Sequence, residues 1–338
     1  MSAGGLLLAG DIGGTKTVLS LYEVGPSGPK ATCEERYASR EYASFDTILS
    51  AFLESCGRPG VAAACIDVAG PVVDGRCQPT NLPWALDETE LSAALGGARV
   101  KLLNDLEATA FGMLHLSPDQ IVSLNDGTRP VGRGHVAVIA AGTGLGEAYL
   151  IWDGRSSHQP LASEGGHADF APRNDEEMDL LRYLRAKVGG RVSAERVLSG
   201  PGIFEVYSFF RDSGREQEPD WLRGELAGGG DPSAIVSRAA AERSEPICVR
   251  TMNVFSELYG AEAGNMALQA LAYGGVFVGG GIAPKNIDVL RNGSFLRGFV
   301  DKGRFSEMLR SLPIRVSLEP NAALLGSVHY ALRLASAA

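Results

Sequence analysis

No stretch of the 338-residue chain approaches the ~18 consecutive apolar residues that a membrane-spanning helix needs. Leu6-Leu7-Leu8-Ala9 is too short for the apolar core of a secretory signal, follows no basic residue, and runs straight into Asp11. Positive charge is also scarce. Against 40 Asp and Glu there are 31 Lys and Arg, a formal charge of −9, with no basic stripe along the chain. That argues against nucleic acid as a partner, though not against one anionic ligand held locally. The five cysteines, Cys33, Cys56, Cys65, Cys77 and Cys248, are scattered, odd in number and without CxxC spacing. Neither a zinc site nor a disulfide framework is expected, and a reducing cytoplasm is the expected location. The GxxxxGK[ST] motif is missing too, which excludes a Walker-type nucleotide loop.

What is present fits a folded, two-domain α/β protein. The apolar fraction is 45%, the charged fraction 21%, and the length exceeds what one core usually serves. Residues 6–10 form an apolar run and residues 17–22 alternate with period two; the glycine turn between them predicts a β-hairpin. The plan returns about 130 residues later, an internal duplication at domain scale. There an apolar run (135–140), the turn Gly142-Thr143-Gly144-Leu145-Gly146 and a second strand (148–152) follow one another. Residues 61–68, 100–103 and 275–278 read as strands and 106–114 as a helix. A further helix is expected over 175–188, with Met178, Leu181, Leu184 and Val188 on one face, acidic residues in its first turn and Gly189-Gly190 at its stop. The Gly/Pro-rich, charged stretch 212–232 reads as a mobile surface loop without function.

A nucleotide phosphate needs several convergent backbone N–H groups and no Cβ in the way, which glycines at a tight turn supply. Gly10-Asp11-Ile12-Gly13-Gly14-Thr15 offers this in the first hairpin, with the Thr15 hydroxyl as an extra donor, and Gly142-Thr143-Gly144 offers it in the second. Asp11 stands where the strand ends. A carboxylate beside phosphates is unfavourable unless a cation lies between them, which points to Mg²⁺ held through water. A third cluster, Gly279-Gly280-Gly281, would let an adenine ring lie close to backbone. A plain turn explains any one cluster; three, each after an apolar strand and one carrying an acid, favour a ligand. Gly142-x-Gly144-x-x-Glu147 lacks the third glycine of the dinucleotide fingerprint. The pattern resembles the actin–hexokinase–Hsp70 superfamily, which implies an ATP site without specifying the second substrate.

Sugar hydroxyls are recognised by carboxylates and amides in convergent sets, and three segments fit. Asn104-Asp105 ends a strand just before a helix, where an acid meets the ligand crevice of α/β folds; in isolation the pair reads as a helix N-cap. In Glu164-Gly165-Gly166-His167 the glycines allow Glu164 and His167 to converge, while a structural role for His167, or less readily a metal-ligand one, stays open. Glu195, in Ser193-Ala194-Glu195-Arg196, stands at an expected helix start, where it could instead pair with Arg196.

Together these segments resemble the bacterial glucokinase family, nearly end to end. The resemblance runs through Gly10 to Thr15, Thr80-Asn81-Leu82-Pro83-Trp84, Leu103-Asn104-Asp105, Ala141 to Gly146, Gly165 to Pro172, Val192 to Gly202 and Gly279-Gly280-Gly281-Ile282. It implies an actin-like, ribonuclease H-like fold with two duplicated α/β lobes around a central cleft. A small domain would occupy residues 1–114, with a C-terminal helix at 320–338 packing back on it, and a large one 115–319. It further implies ATP and Mg²⁺, Asp105 as catalytic base, and Asn104, Glu164, His167 and Glu195 on the glucose hydroxyls, with Asn81 in a sugar-side loop. A cytoplasmic homodimer is implied as well. The related repressor–kinase family carries a cysteine-rich zinc motif after its ExxGH-like segment. This chain lacks that motif, and no DNA-binding helix-turn-helix is expected before Leu6. A kinase of another hexose and a non-catalytic sugar sensor are the alternatives.

Overall fold

The computed structural model describes residues 5–79 and 81–336; Thr80 and the last two residues of the expected C-terminal helix lie outside them. Two compact units divide the chain, one ending at Ser117 and resuming at Asn321, the other spanning Pro118–Pro320. In chain order the first unit opens with β1 (Leu6–Ile12), β2 (Lys16–Gly25), β3 (Gly28–Ala38), α1 (Phe45–Ser55) and β4 (Val61–Val68). A small sheet follows, β5 (Val72–Val73), β6 (Arg76–Cys77) and β7 (Leu86–Asp87), then α2 (Glu88–Ala94), β8 (Arg99–Asn104) and α3 (Asp105–Met113).

The main sheet of this unit has the order β3-β2-β1-β4-β8. β1 runs antiparallel to β2 but parallel to β4, and β4 parallel to β8. The apolar runs occupy the middle: Leu7, Leu8 and Ala9 of β1 and Ala63 to Ile66 of β4 are buried, as parallel strands covered on both faces require. The charged residues of β3 lie on the outer strand, where they blunt an edge open to further pairing.

The second unit holds β9 (Ile121–Asn125), β10 (Val136–Ala141), β11 (Leu145–Trp152), β12 (His158–Ser163), α4 (Asp175–Val188), α5 (Gly200–Asp212), α6 (Asp220–Ala227), α7 (Pro232–Arg243) and α8 (Pro246–Gln269). It closes with β13 (Gly275–Gly279), α9 (Ile287–Arg291), α10 (Ser294–Val300), α11 (Ser306–Arg310) and β14 (Ile314–Ser317). Its sheet, β12-β11-β10-β13-β14-β9, repeats the plan of the first: two antiparallel hairpin pairs, then two parallel neighbours, with β9 added at the far edge. α8 runs through the core, and its fully buried Tyr259 reaches the sheet with its hydroxyl, which accepts the Ala141 N–H at 3.0 Å.

The chain then returns to the first unit as α12 (Ala322–Ser336), which packs on α3, β1 and β4. The helices α3 and α12 touch backbone to backbone. A Cβ on Gly326 would lie 1.8 Å from the Ala108 carbonyl oxygen, and one on Gly112 1.9 Å from that of Ala322, so neither position admits a side chain.

Three expectations are corrected. On α4 the buried residues are Glu177, Leu180 and Leu184, whereas Met178 and Val188 are exposed; the inward face is turned because Glu177 is drawn in by Arg173 and Asn174. The stretch 212–232 is not one loop: α6 lies within it, seated by buried Leu222, and Glu218 is held by Tyr207 and Arg223. Finally, Cys33 on β3 and Cys56 at the end of α1 form a disulfide with Cα atoms 6.5 Å apart. Spacing alone gave no sign of it, because the pairing depends on α1 packing beside an edge strand.

Alkylation of the denatured protein without reductant is expected to label only Cys65, Cys77 and Cys248, and all five cysteines after reduction. Cys33→Ser should lower stability by about 3 kcal/mol, the loop-closure value for this separation, measured by urea unfolding. Five reactive thiols in the air-oxidised protein would contradict the bond.

Candidate functional site

In the first unit the parallel pairing β1–β4–β8 brings three strand ends side by side: Ile12 pairs Val68, and Val68 pairs Asn104. The first glycine hairpin, Asp11 and Asn104-Asp105 therefore share one edge of the sheet, the edge at which α/β folds bind ligands. The hairpin is braced from outside. Ser39 Oγ donates to the Gly13 carbonyl at 2.8 Å, the Ser39 N–H donates to that of Thr15 at 3.0 Å, and Arg40 Nε donates to that of Gly14 at 3.3 Å. Its carbonyls are thus occupied, while among the described residues the Gly14 and Thr15 N–H groups have no protein acceptor. Asn81 lies against the same turn, its Cβ 2.9 Å from where a Gly14 Cβ would stand.

Asn104 caps α3. Its Oδ1 accepts the Leu106 N–H at 2.9 Å and Glu107 Oε2 accepts the Asn104 N–H at 3.0 Å, a reciprocal capping box. Its Nδ2 donates to the Gly70 carbonyl at 3.1 Å, which leaves the amide one more hydrogen to offer. Asp105, the first residue of α3, is exposed.

Behind Asp11 stands an acid that the sequence reading passed over. Asp67, paired with Asp11 across β1 and β4, is fully buried. Its Oδ2 accepts the Ser327 hydroxyl of α12 at 2.9 Å, and its Oδ1 has no hydrogen-bond partner. Burial, and then the charge of Asp11, holds the Asp67 carboxyl well above the carboxylate range. Asp11 is raised too, by burial, with Asp67 and Lys16 opposing. An aspartate within the apolar run Ala-Ala-Ala-Cys-Ile-Asp-Val was the available signal.

In the second unit β10 pairs antiparallel with β11 and parallel with β13, so the second hairpin and Gly279-Gly280-Gly281 again share one edge. Gly280 has φ +77°, and a Cβ there would lie 2.2 Å from the Ala141 carbonyl oxygen. The N-terminus of α5 abuts the hairpin: the Gly200 N–H donates to the Gly142 carbonyl at 2.8 Å, and Ser199 caps the helix. Gly142, Thr143, Gly200, Ser233, Gly281 and Lys285 are among the residues lining a cavity of about 870 Å³, within the usual range for nucleotide-sized ligands. Asp231 and Pro232, which also line it, belong to the end of the stretch expected to lack function.

The other three predicted residues of this unit come together. The segment after Gly165 is laced to the segment around Glu195: the Phe170 N–H donates to the Val192 carbonyl at 3.0 Å and the Ala194 N–H to that of Ala168 at 2.9 Å. Arg191 adds bonds to the His167 carbonyl at 2.6 Å and Asp169 at 2.9 Å. As a result His167 stands between two carboxylates, its Nε2 4.0 Å from Glu164 Oε2 and its Nδ1 3.9 Å from Glu195 Oε1. These separations exceed a hydrogen bond and leave all three groups with capacity for hydroxyls. Ser193 to Arg196 forms a 3-10 turn rather than the start of a long helix. Nor does Glu195 pair with Arg196. Its Oε2 accepts the Leu145 N–H at 3.0 Å, which ties it to the base of the second hairpin.

Gly280→Ala combines an unfavourable φ with a backbone clash and should cost about 3 kcal/mol, read from the urea midpoint. A stability unchanged from wild type would refute this geometry at the end of β13.

The glucokinase family model matches residues 8–334. A glucokinase of Nostoc punctiforme is 41% identical, over 97% of this chain and 99% of its own length. One from Caulobacter vibrioides is 36% identical, over 96% and 95% respectively. Among solved structures, glucokinase from an Antarctic psychrotroph superposes with a TM-score of 0.85 at 28% identity, covering 98% of this chain and all of that one (100%). A ROK family glucokinase from Streptomyces griseus, determined with glucose and AMPPNP, gives 0.60 at 21% identity over 97% of this chain and 100% of its own; it bears on the fold alone. With a mixed α/β structure of the sugar-kinase type and a family match over nearly its whole length, the chain belongs to the glucokinase family.

Proposed function

We propose that the protein is an ATP-dependent glucokinase, which transfers the γ-phosphoryl group of ATP to the 6-hydroxyl of glucose. The observation that carries this reading is the convergence of His167 on Glu164 and Glu195, with Glu195 anchored to the glycine hairpin beside the 870 Å³ cavity. A sugar-binding cluster and a nucleotide-sized cavity thereby share one strand turn.

In this reading Glu164, His167, Glu195 and Asn104 hold the sugar hydroxyls, and Asn81 contributes from its place against Gly14. Charged and amide acceptors of this kind discriminate strongly against analogues that misplace a hydroxyl. Asp105 accepts the proton of the 6-hydroxyl as the new P–O bond forms. The phosphates lie on the turns Gly13-Gly14-Thr15 and Gly142-Thr143-Gly144, where among the described residues the N–H groups of Gly14, Thr15, Thr143 and Gly144 have no protein acceptor, assisted by the N-terminus of α5. The adenosine moiety occupies the cavity beside Gly279-Gly280-Gly281. Gly10 and Ile12 complete the strand that presents the first turn.

Asp11 fits a water-held Mg²⁺: it is a hard oxygen donor at the strand end, half-buried beside that turn. Among the described residues no group of three or more His, Cys, Asp or Glu could hold a metal ion by itself, which suits an ion that arrives with the triphosphate. When bound, Mg²⁺ neutralises charge on the transferring phosphoryl. The repeated strand plan supports a duplicated, ribonuclease H-like lobe of the actin–hexokinase–Hsp70 type. We assign the small domain to residues 1–114 with 320–338 and the large one to 115–319. No described helix is long and apolar enough to cross a membrane; a cytoplasmic homodimer is the assembly this reading adopts.

Asp105→Ala should lower kcat by roughly 10²–10⁴, followed by ADP release with glucose and Mg-ATP; near-wild-type turnover would refute the base. Glu164→Gln and Glu195→Gln should each raise the glucose KM by ~10-fold or more and the ATP KM far less. An unchanged glucose KM in both would remove the sugar site.

A further inference from the structure

One buried acid has no place in the chemistry above. Glu147 lies on β11 and is 3% exposed. Its register partner on β12 is Ser163, whose Oγ accepts the Gly165 N–H at 2.9 Å. A Cβ on Gly165 would lie 2.0 Å from Glu147 Oε2, so the carboxyl is packed directly against the backbone of the Gly165–His167 turn. Its Oε1 is buried without a hydrogen-bond partner.

The groups around it offer no counter-charge. From α8 come Glu262, whose carboxylate accepts from Asn265 at 2.9 Å, and Tyr259; from β11 itself comes Tyr149. The turn carries Glu164 and His167, and the neighbouring 3-10 turn carries Glu195, bonded two residues away at Leu145. Lys302, beyond α10, is influenced by Glu262 and Arg173. Among the described residues no cation forms an ion pair with Glu147.

We infer that Glu147 is a positioning residue whose neutral carboxyl seats the Gly165–His167 turn and thereby sets the affinity of Glu164 and His167 for glucose. The inference rests on the sugar-site reading. Burial first, and then Glu262, pushes this carboxyl up to about 8, so it is mostly protonated at neutral pH and mostly ionised one unit above that value. An unpaired buried carboxylate must gain water or move, and the Gly165 backbone in contact with it must move as well. If only the neutral form presents the turn correctly, apparent affinity falls with the competent fraction. The glucose KM then rises ~10-fold between about pH 7 and about pH 9, while kcat changes less than about twofold.

The test is a glucose KM and kcat profile over that range at saturating Mg-ATP for wild type, Glu147→Gln and Glu147→Leu, with Glu164→Gln measured at neutral pH. Expected are a wild-type KM near pH 7 and a flat profile for the Gln variant. A flat profile is also expected for Leu, even if its KM is displaced throughout. A wild-type KM that does not change with pH overturns the inference, as does a Gln variant that keeps the alkaline rise. If Glu164→Gln raises KM while Glu147→Gln keeps the wild-type profile, only the role of Glu147 falls. If Glu164→Gln leaves KM unchanged, the sugar-site reading falls and this inference with it.

Discussion

The arrangement depends on one constraint of strand pairing. The first strand of each glycine hairpin is antiparallel to its partner on one side and parallel to a later strand on the other. An antiparallel neighbour can be joined by a tight turn, whereas a parallel one needs a crossover that delivers its C-terminal end to the same edge. Turn and crossover together place glycine N–H groups beside the ends of β4 and β8 in one unit, and beside the end of β13 in the other. Asp11, Asn104-Asp105 and Gly279-Gly280-Gly281 need no special loop to reach their edges. They lie within two residues of the ends of strands whose interiors are apolar.

Set against those edges are two acids inside the sheets. Asp67 and Glu147 each leave one carboxyl oxygen without a partner, and among the described residues neither forms an ion pair with a cation that would offset its burial. A carboxyl so placed is stable when neutral, and each is packed against a segment of the candidate site: half-buried Asp11 in one case, the Gly165–His167 turn in the other. Such local cost beside a ligand edge is the pattern expected where residues serve a site rather than the core.

The hairpins, the parallel strands and the α4 boundaries were legible in the sequence because they follow from period, glycine and caps, all local signals. Asp67 and Ser327 were not: the bond between them spans 260 positions, and no spacing rule reaches that far. The Cys33–Cys56 bond was hidden for a related reason, since it requires α1 to lie beside β3. On α4 the helical period was read correctly but the inward face was not, because Arg173, outside the helix, draws Glu177 into the interior. For the site, the residue types of Glu164, His167 and Glu195 could be read. The glycines between Glu164 and His167 also signalled that those two converge, but the arrival of Glu195 beside them was not legible, because it depends on the backbone lacing of 168–170 to 192–194.

The return of the chain to its first unit has a consequence for how the protein is made. α12 covers β1 and β4 and supplies the hydroxyl that Asp67 uses, yet it follows the whole of Pro118–Pro320. At ordinary rates of translation the ribosome needs about 10–40 s to traverse that interval. Throughout it the opening sheet has one apolar face uncovered and a buried acid without its partner, whereas the second unit has every strand it needs as soon as the interval ends. The unit begun first is therefore the one completed last, and its exposed sheet is the surface that a chaperone would meet on the nascent chain.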